Sequence, residues 1–149
     1  MKKVFLSLLL LLLGCLGWSL FAQERYSINE VFKGNIVPKE QIKEIKISHS
    51  SKLPDEIDFF RSLEFNADAA TLEKIASLIE EDAKYALDSE MSTTAGVLDY
   101  ALLRVGKEKD CTYICYSVKD AEEEGHYKVT ILLLIGPDSI QELKSLFGK

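Results

Sequence analysis

The sequence predicts an α+β fold: a mainly antiparallel sheet of about five strands with two helices packed on one face. Three observations support this prediction. A long amphipathic helix follows two short strand-like segments, three strand candidates come in quick succession after it, and the chain closes on a second helical pattern. The expected order of elements is therefore β-β-α-β-β-β-α.

The longest periodic segment, residues 68–87, is the element against which the sheet is expected to pack. Its apolar residues recur at the three- and four-residue spacing of one helix face: Leu72, Ile75, Ala76, Ile79, Ala83 and Ala86 or Leu87. Asn66 or Asp68 can cap its start. A helix of about 20 residues is a rod of roughly 30 Å, about the width of a small domain.

Two strands are predicted before this helix. Residues 43–49 alternate isoleucine with charged side chains, and the lysines among them are typical of an edge strand. Residues 57–66 carry three phenylalanines and a leucine. Further upstream, residues 27–34 predict one short helical turn, with Ser27 as its cap and Gly34 as its stop.

After the long helix, the polar segment 88–96 predicts a surface loop. Gly106 and Gly125 lie in charged links between three strand candidates, which cover residues 97–105, 111–118 and 126–135. The last candidate is apolar on both faces, which favours a central position in the sheet. Gly136 and Pro137 end it, and a closing helix follows with Asp138 or Ser139 as its cap.

Alternation along the three late strands divides their side chains between two faces. We expect one set to lie under the two helices: Val97, Ala101, Leu103, Val105, Cys111, Tyr113, Cys115, Val129, Ile131, Leu133 and Ile135. The other set is also rich in apolar residues, from Leu98 to Leu134. Because two helices cover only one face, this second face is expected to meet a partner, with Tyr100, Arg104 and Tyr116 as binding residues.

The first residues have the pattern of a secretory signal peptide. Lys2 and Lys3 precede an apolar run, and small Ala22 is followed by polar sequence. The prediction is a signal over residues 1–22, cleaved after Ala22, and a single α+β domain over residues 23–149. Two alternatives remain open: Cys15 ends a lipobox-like stretch and is acylated, or residues 4–22 stay as a membrane anchor.

Each of these alternatives predicts an exported protein of the periplasm or outer cell envelope. Membrane contact is then limited to the N-terminal segment, if it is uncleaved or acylated. Cleavage after Ala22 leaves 16 basic residues against 24 acidic ones, so the formal charge changes from −6 to −8. Nucleic-acid binding is therefore excluded, since it needs clustered lysines and arginines.

Few residues suggest chemistry. In one strand, Cys111 and Cys115 would lie about 13 Å apart, too far for a disulfide or a shared metal ion. His49 and His126 occur in no metal-ligand spacing, and no cofactor motif is found. We therefore expect no cofactor, no metal site and no catalytic residue. The one enzyme candidate is a thiol, Cys111 or Cys115, acting with His126.

Three stretches carry a resemblance. The alanine-glutamine pair after the signal, FFRSLEFNAD before the long helix and YKVTILLLIGPDSIQELKSLFGK at the end resemble small exported proteins of the Bacteroidetes, which contain domains of unknown function. This resemblance implies a location in the cell envelope. It implies no catalytic residue.

The function predicted from the sequence is an exported, non-enzymatic binding or interaction module of the cell envelope. Its partner would be another envelope protein, a peptide, a glycan or a second copy of the chain. Residues 23–38 could instead fold over the second face and seal it. The alternative function is a periplasmic thiol- or acid-dependent hydrolase.

Overall fold

A computed structural model describes residues 26–48, 51–106 and 111–147. Its helices are α1 (Asn29–Phe32), α2 (Ala69–Ala83) and α3 (Ile140–Phe147), with a single 3₁₀ turn at Lys39–Gln41. Its strands are β1 (Lys43–Ser48), β2 (Phe59–Asp68), β3 (Asp88–Thr94), β4 (Val97–Arg104), β5 (Thr112–Asp120) and β6 (His126–Ile135).

The six strands form one sheet in the order β1-β2-β6-β5-β4-β3, and every neighbouring pair is antiparallel. The predicted α+β class is confirmed. So are the edge position of β1 and the central position of β6. Because β2 and β3 lie four strand spacings apart, about 19 Å, the helix between them must cross the sheet. The 15 residues of α2, about 22 Å long, are sufficient for that crossing.

One strand was not predicted. Residues 88–94 form β3, where the sequence predicts a loop, and β3 pairs with β4 along its length. Apart from Thr93 and Thr94 at its end, this strand contains none of the β-branched or aromatic residues that are enriched in strands. It is held instead by its main-chain pairing to β4. Ala95 and Gly96, both with positive φ, make the tight turn between the two strands.

One face of the sheet, the long-helix face, is sealed by α2 and by residues 26–37. Leu72, Ile75 and Ile79 of α2 are buried against the central strands. The N-terminal segment contributes further side chains to the same cluster: Ile28, Val31, Phe32 and Val37. Residues 26–37 therefore cover the face that α2 covers, and not the second face.

The closing helix packs on the opposite face, so the prediction of two helices on one face is wrong. Ile140 and Leu143 of α3 form a separate cluster with Leu102, Tyr113 and Leu134 of the sheet. Ser139 caps the helix as predicted, because its hydroxyl accepts the amide hydrogen of Glu142 at 3.2 Å. The physical reason for the different face is that the central strands are apolar on both sides, and each side needs a cover.

Strand β5 also has the opposite orientation to the predicted one. Ile114 lies opposite Leu103, and Tyr116 lies opposite Ala101, so both point to the long-helix face. Cys111, Tyr113 and Cys115 point to the other face. Alternation could not decide between the two orientations, because both faces of this strand are apolar, and a shift of one residue exchanges them.

The start of α1 is fixed by a carboxylate from α2. Asp82 accepts the backbone N–H of Ser27 at 2.7 Å and that of Ile28 at 2.9 Å. Ser27 was predicted to cap this turn, and that prediction is wrong because the distant Asp82 fills the role. Gly34, with φ of +82°, ends the turn as predicted. Asp82 is only 5% exposed, and burial raises the pKa of its carboxyl.

Candidate functional site

The second face of the sheet is only partly covered in the part of the chain that the structure describes. The region beyond α3, which we call the open face, is built from two neighbouring cross-strand rows. Leu132 is half-buried there and belongs to neither core cluster. The residues that form the open face are Ile45, Ser62, Leu132 and Cys115 in one row and Thr130, Ser117 and Tyr100 in the next.

The centre of the open face is apolar, and ion pairs lie at its margins. Leu132 lies directly opposite Cys115, with the Tyr100 ring in the adjoining row. On one side, Lys128 contacts Glu64 at 3.1 Å. On the other, Lys144 of α3 contacts Glu90 of β3 at 2.9 Å. The arrangement presents an uncharged centre with these two ion pairs at its margins.

Of the three predicted binding residues, Tyr116 does not reach this surface. It is 1% exposed on the long-helix face, where its hydroxyl donates to the carbonyl oxygen of Leu98 at 3.3 Å. Burial raises the pKa of this phenol. The structure therefore gives Tyr116 a role in the core, and the misassigned orientation of β5 explains its inclusion among the binding residues.

Arg104 and Tyr100 do share the second face, but Arg104 lies at the covered end. Its Nη2 donates to Sγ of Cys111 at 3.5 Å, and that thiol lies 3.7 Å from Oδ1 of Asp138. Beside them, the Tyr113 hydroxyl donates to the carbonyl oxygen of Pro137 at 2.6 Å. These contacts fasten the turn before α3 to the sheet. Tyr100 is the one predicted binding residue that the structure places on the open face.

The thiol and histidine of the enzyme hypothesis are not brought together. Cys115 lies opposite Leu132, six residues along β6 from His126, which corresponds to about 20 Å. Cys111 lies farther still from that histidine. Burial also raises the pKa of the Cys115 thiol to about 12, whereas a nucleophilic cysteine needs a lowered one. Both thiols are free, and His49 and Cys15 lie outside the described residues.

A cleft of about 340 Å³ lies at the start of β6, between the N-terminal segment and the β5–β6 hairpin. Asp68, Glu123 and His126 line it. Asp68 caps α2, since its Oδ1 accepts the Thr71 N–H at 2.8 Å, and hydrogen bonds from Thr71 lower the pKa of Asp68. His126 Nδ1 lies 3.7 Å from a Glu123 oxygen. Across the described ranges, no cluster of histidine, cysteine or acidic side chains is suited to a metal ion.

Sequence reasoning missed part of the open face. Alternation along β6 does place Leu132 and Thr130 on the second face, and that signal was sufficient for these two residues. Cys115 and Ser117 were missed because they depend on the orientation of β5.

None of the helices in the described ranges is long and apolar enough to cross a membrane.

Comparisons with known proteins place the chain in a family but assign no activity. A search of curated proteins finds no match, and a search of solved structures finds none either. A family model does match, over residues 15–147, which is most of the chain. The chain therefore belongs to DUF6108, a family of unknown function.

Proposed function

We propose that this chain is an exported, non-enzymatic interaction module of the cell envelope that binds a protein partner through its open face. The observation that carries the proposal is the half-buried Leu132, which lies outside both core clusters, with Tyr100 beside it at the margin of the cluster that α3 covers. The export part of the proposal is supported by the signal-like residues 1–22 and by the resemblance to exported proteins of the Bacteroidetes.

The composition of the open face favours a polypeptide over a glycan. An apolar centre within a polar rim is the usual anatomy of a protein interface. Here the rim is provided by the pairs Lys128–Glu64 and Lys144–Glu90, which leave no unpaired charge to be desolvated at the centre. A sugar would instead require aromatic platforms, and Tyr100 is the one aromatic side chain among the residues that define the open face.

The size of the surface predicts a reversible complex. Two neighbouring rows on one face occupy about 13 Å along the strands, and the five strands that carry them span about 19 Å, which gives a surface on the order of 250 Å². Stable complexes bury about 800 Å² on each partner. The open face alone is smaller, so we expect an association that exchanges readily.

Photo-crosslinking tests this proposal. Tyr100 is replaced by the photoreactive residue p-benzoylphenylalanine in the full chain, expressed in the native host and irradiated in intact cells. The matched control carries the same residue at Tyr85, a tyrosine that is 77% exposed at the end of α2. We expect an adduct with one protein species at position 100, at least about fivefold above the control.

Equal yields at positions 100 and 85 would reject the open face as the binding surface. An adduct of twice the chain mass that persists in the variant Met91→Lys, which places a lysine on the outer edge of β3, would identify a second copy as the occupant of the open face and reject a different protein partner. An adduct with polysaccharide would reject the polypeptide. In the same cells, a mature N-terminus at Gln23 or at acylated Cys15 supports export, and an intact Met1 in a soluble fraction contradicts it.

Removal of the thiols separates the module from the alternative thiol hydrolase. The double variant Cys111→Ala and Cys115→Val should keep the crosslink at position 100, because valine keeps the apolar contact of Cys115 on the open face and Cys111 lies in the cluster that α3 covers. Circular dichroism checks that the variant is folded. Loss of the adduct in a folded variant would show that a thiol takes part in the function.

A further inference from the structure

The two edge strands of the sheet differ in the residues that oppose pairing with another strand. Lys43 and Lys46 lie along β1, and lysines on an edge strand discourage pairing. At the other edge, β3 runs over Asp88–Thr94 without a lysine, an arginine or a proline. Its outer main chain has no partner strand among the residues that the structure describes.

Three polar side chains of β3 are paired within the chain. Glu90 is paired with Lys144 at 2.9 Å. The hydroxyls of Ser92 and Thr94 donate to the carboxylate of Asp99 at 2.7 and 2.6 Å. A strand that paired with β3 would therefore meet few unpaired charges that oppose its approach.

The irregularity in this hairpin leaves the outer edge of β3 continuous. Consecutive residues Ser92 and Thr93 pair with Tyr100 and Leu98, so the extra residue, Asp99, belongs to β4. A bulge in β3 itself would turn its edge away from a partner. With the bulge in β4, the main-chain groups of β3 stay in register for a further strand.

We propose that β3 pairs antiparallel with β3 of a second copy of this chain, on a two-fold axis at Met91. The two sheets then join into one sheet of twelve strands, and the long-helix faces of both copies lie on the same side. This proposal rests on the edge of the sheet. It does not depend on the function proposed for the open face.

The charges of β3 and its single apolar side chain together favour this register. An axis at Glu90 would place two glutamates opposite each other, and an axis at Ser89 would place Asp88 opposite Glu90. Like charges directly opposite are destabilising. An axis at Met91 instead places Glu90 opposite Ser92 and Ser89 opposite Thr93. It also brings the one apolar side chain of the strand, 40% exposed in the single chain, against its own copy.

Disulfide trapping tests the register. Met91→Cys in the full chain is oxidised beside wild type, whose native thiols give the background. In the proposed pair the two residues at position 91 lie about 5 Å apart, within disulfide reach. Ser89→Cys is the matched control on the same strand, since its two copies would lie about 13 Å apart. Ile45→Cys tests the other edge.

We expect at least about a tenfold higher yield of disulfide dimer for Met91→Cys than for either control. Equal yields for the three variants would overturn the proposal, and a higher yield for Ile45→Cys would move the pairing to β1. Comparable yields for Ser89→Cys and Met91→Cys would show an edge without a fixed register, which also contradicts it.

Sedimentation equilibrium gives an independent measurement without cysteine chemistry. Wild type should dimerise with rising concentration, and Met91→Lys should weaken the association at least tenfold by placing two lysines face to face. A wild type that stays monomeric up to millimolar concentration would overturn the proposal. Met91→Lys should leave the photo-crosslink at position 100 unchanged, so failure of this dimer and failure of the proposed function are distinguishable.

Discussion

The two faces of the sheet are covered by helices of very different length. On the long-helix face, α2 extends about 22 Å across a sheet some 24 Å wide, and residues 26–37 fill the remaining space. On the second face, the eight residues of α3 extend about 12 Å. The difference shows that the open face results from helix length, because the central strands are apolar on both sides.

Neighbouring residues of β6 give the sharpest test of this difference. Ile131 is fully buried on the long-helix face, whereas Leu132 lies half-buried on the open face. Ile131→Ala removes packed methylene groups and leaves a cavity, so we expect a loss of about 2–5 kcal/mol in the free energy of unfolding. Leu132→Ala should cost less than about 1 kcal/mol.

Urea denaturation of both variants measures this comparison. The two changes remove a similar amount of apolar volume at consecutive positions, so each serves as the control for the other. Similar losses for both variants would mean that the second face is sealed in solution and would contradict the open face.

The carboxylate that joins α2 to the N-terminal segment should produce the next largest effect. Asp82→Ala leaves the half-buried amide hydrogen of Ser27 and the buried one of Ile28 without their acceptor. We expect a loss of about 1–3 kcal/mol in the free energy of unfolding. The adjacent Glu81→Ala removes an exposed ion pair with Lys84 and should leave the free energy of unfolding nearly unchanged.

Chemical denaturation followed by tyrosine fluorescence distinguishes these two variants. If both changes cost the same small amount, Asp82 does not hold the segment. The contact would then contribute nothing to sealing the long-helix face.

The smallest expected effect is a dependence of stability on pH. Burial raises the pKa of Asp82 in the folded chain above its ordinary value of 3.8. Over the interval that begins near 3.8, the folded chain therefore retains a proton that the unfolded chain has lost, so rising pH lowers the contribution of this group to stability. The difference in unfolding free energy between wild type and Asp82→Asn should fall as pH rises through that interval.

Thermal denaturation at a series of pH values measures that difference. Asp68 and Asp99 act in the opposite sense, because hydrogen bonds lower their pKa values, and both groups are present in wild type and variant. Their contributions therefore cancel. A difference that rises with pH would contradict the raised pKa.

Most of the fold was predictable from the sequence because hydrophobic periodicity and turn residues agree along it. The long helix, the lysine-bearing edge strand and the last strand all carry strong local signals. Strand β3 carries none: DSEMSTT reads as a loop, and only its pairing to β4 makes it a strand. The predicted end of the long helix at Leu87 is wrong for the same reason, since the Leu87 N–H already donates to Arg104 at the start of that pairing.

The candidate site was less predictable than the fold. Alternation assigned Tyr100 and Leu132 to the second face, because β4 and β6 each have one face that is plainly more apolar. It could not orient β5, where Tyr113, Ile114 and Tyr116 are all large and apolar enough for a core. A single register decision thus placed Tyr116 on the wrong face, and no local signal in the sequence could have corrected it.

The bond between Asp82 and the start of α1 joins residues 54 and 55 positions apart in the chain. A contact of such long range forms only after the intervening strands and helix are in place. We therefore expect residues 26–37 to pack last on folding and to detach first on unfolding. Weakening this bond should then accelerate unfolding and leave the rate of folding nearly unchanged. During synthesis, residues 26–37 would emerge before α2 and would reach their native position only once α2 had formed.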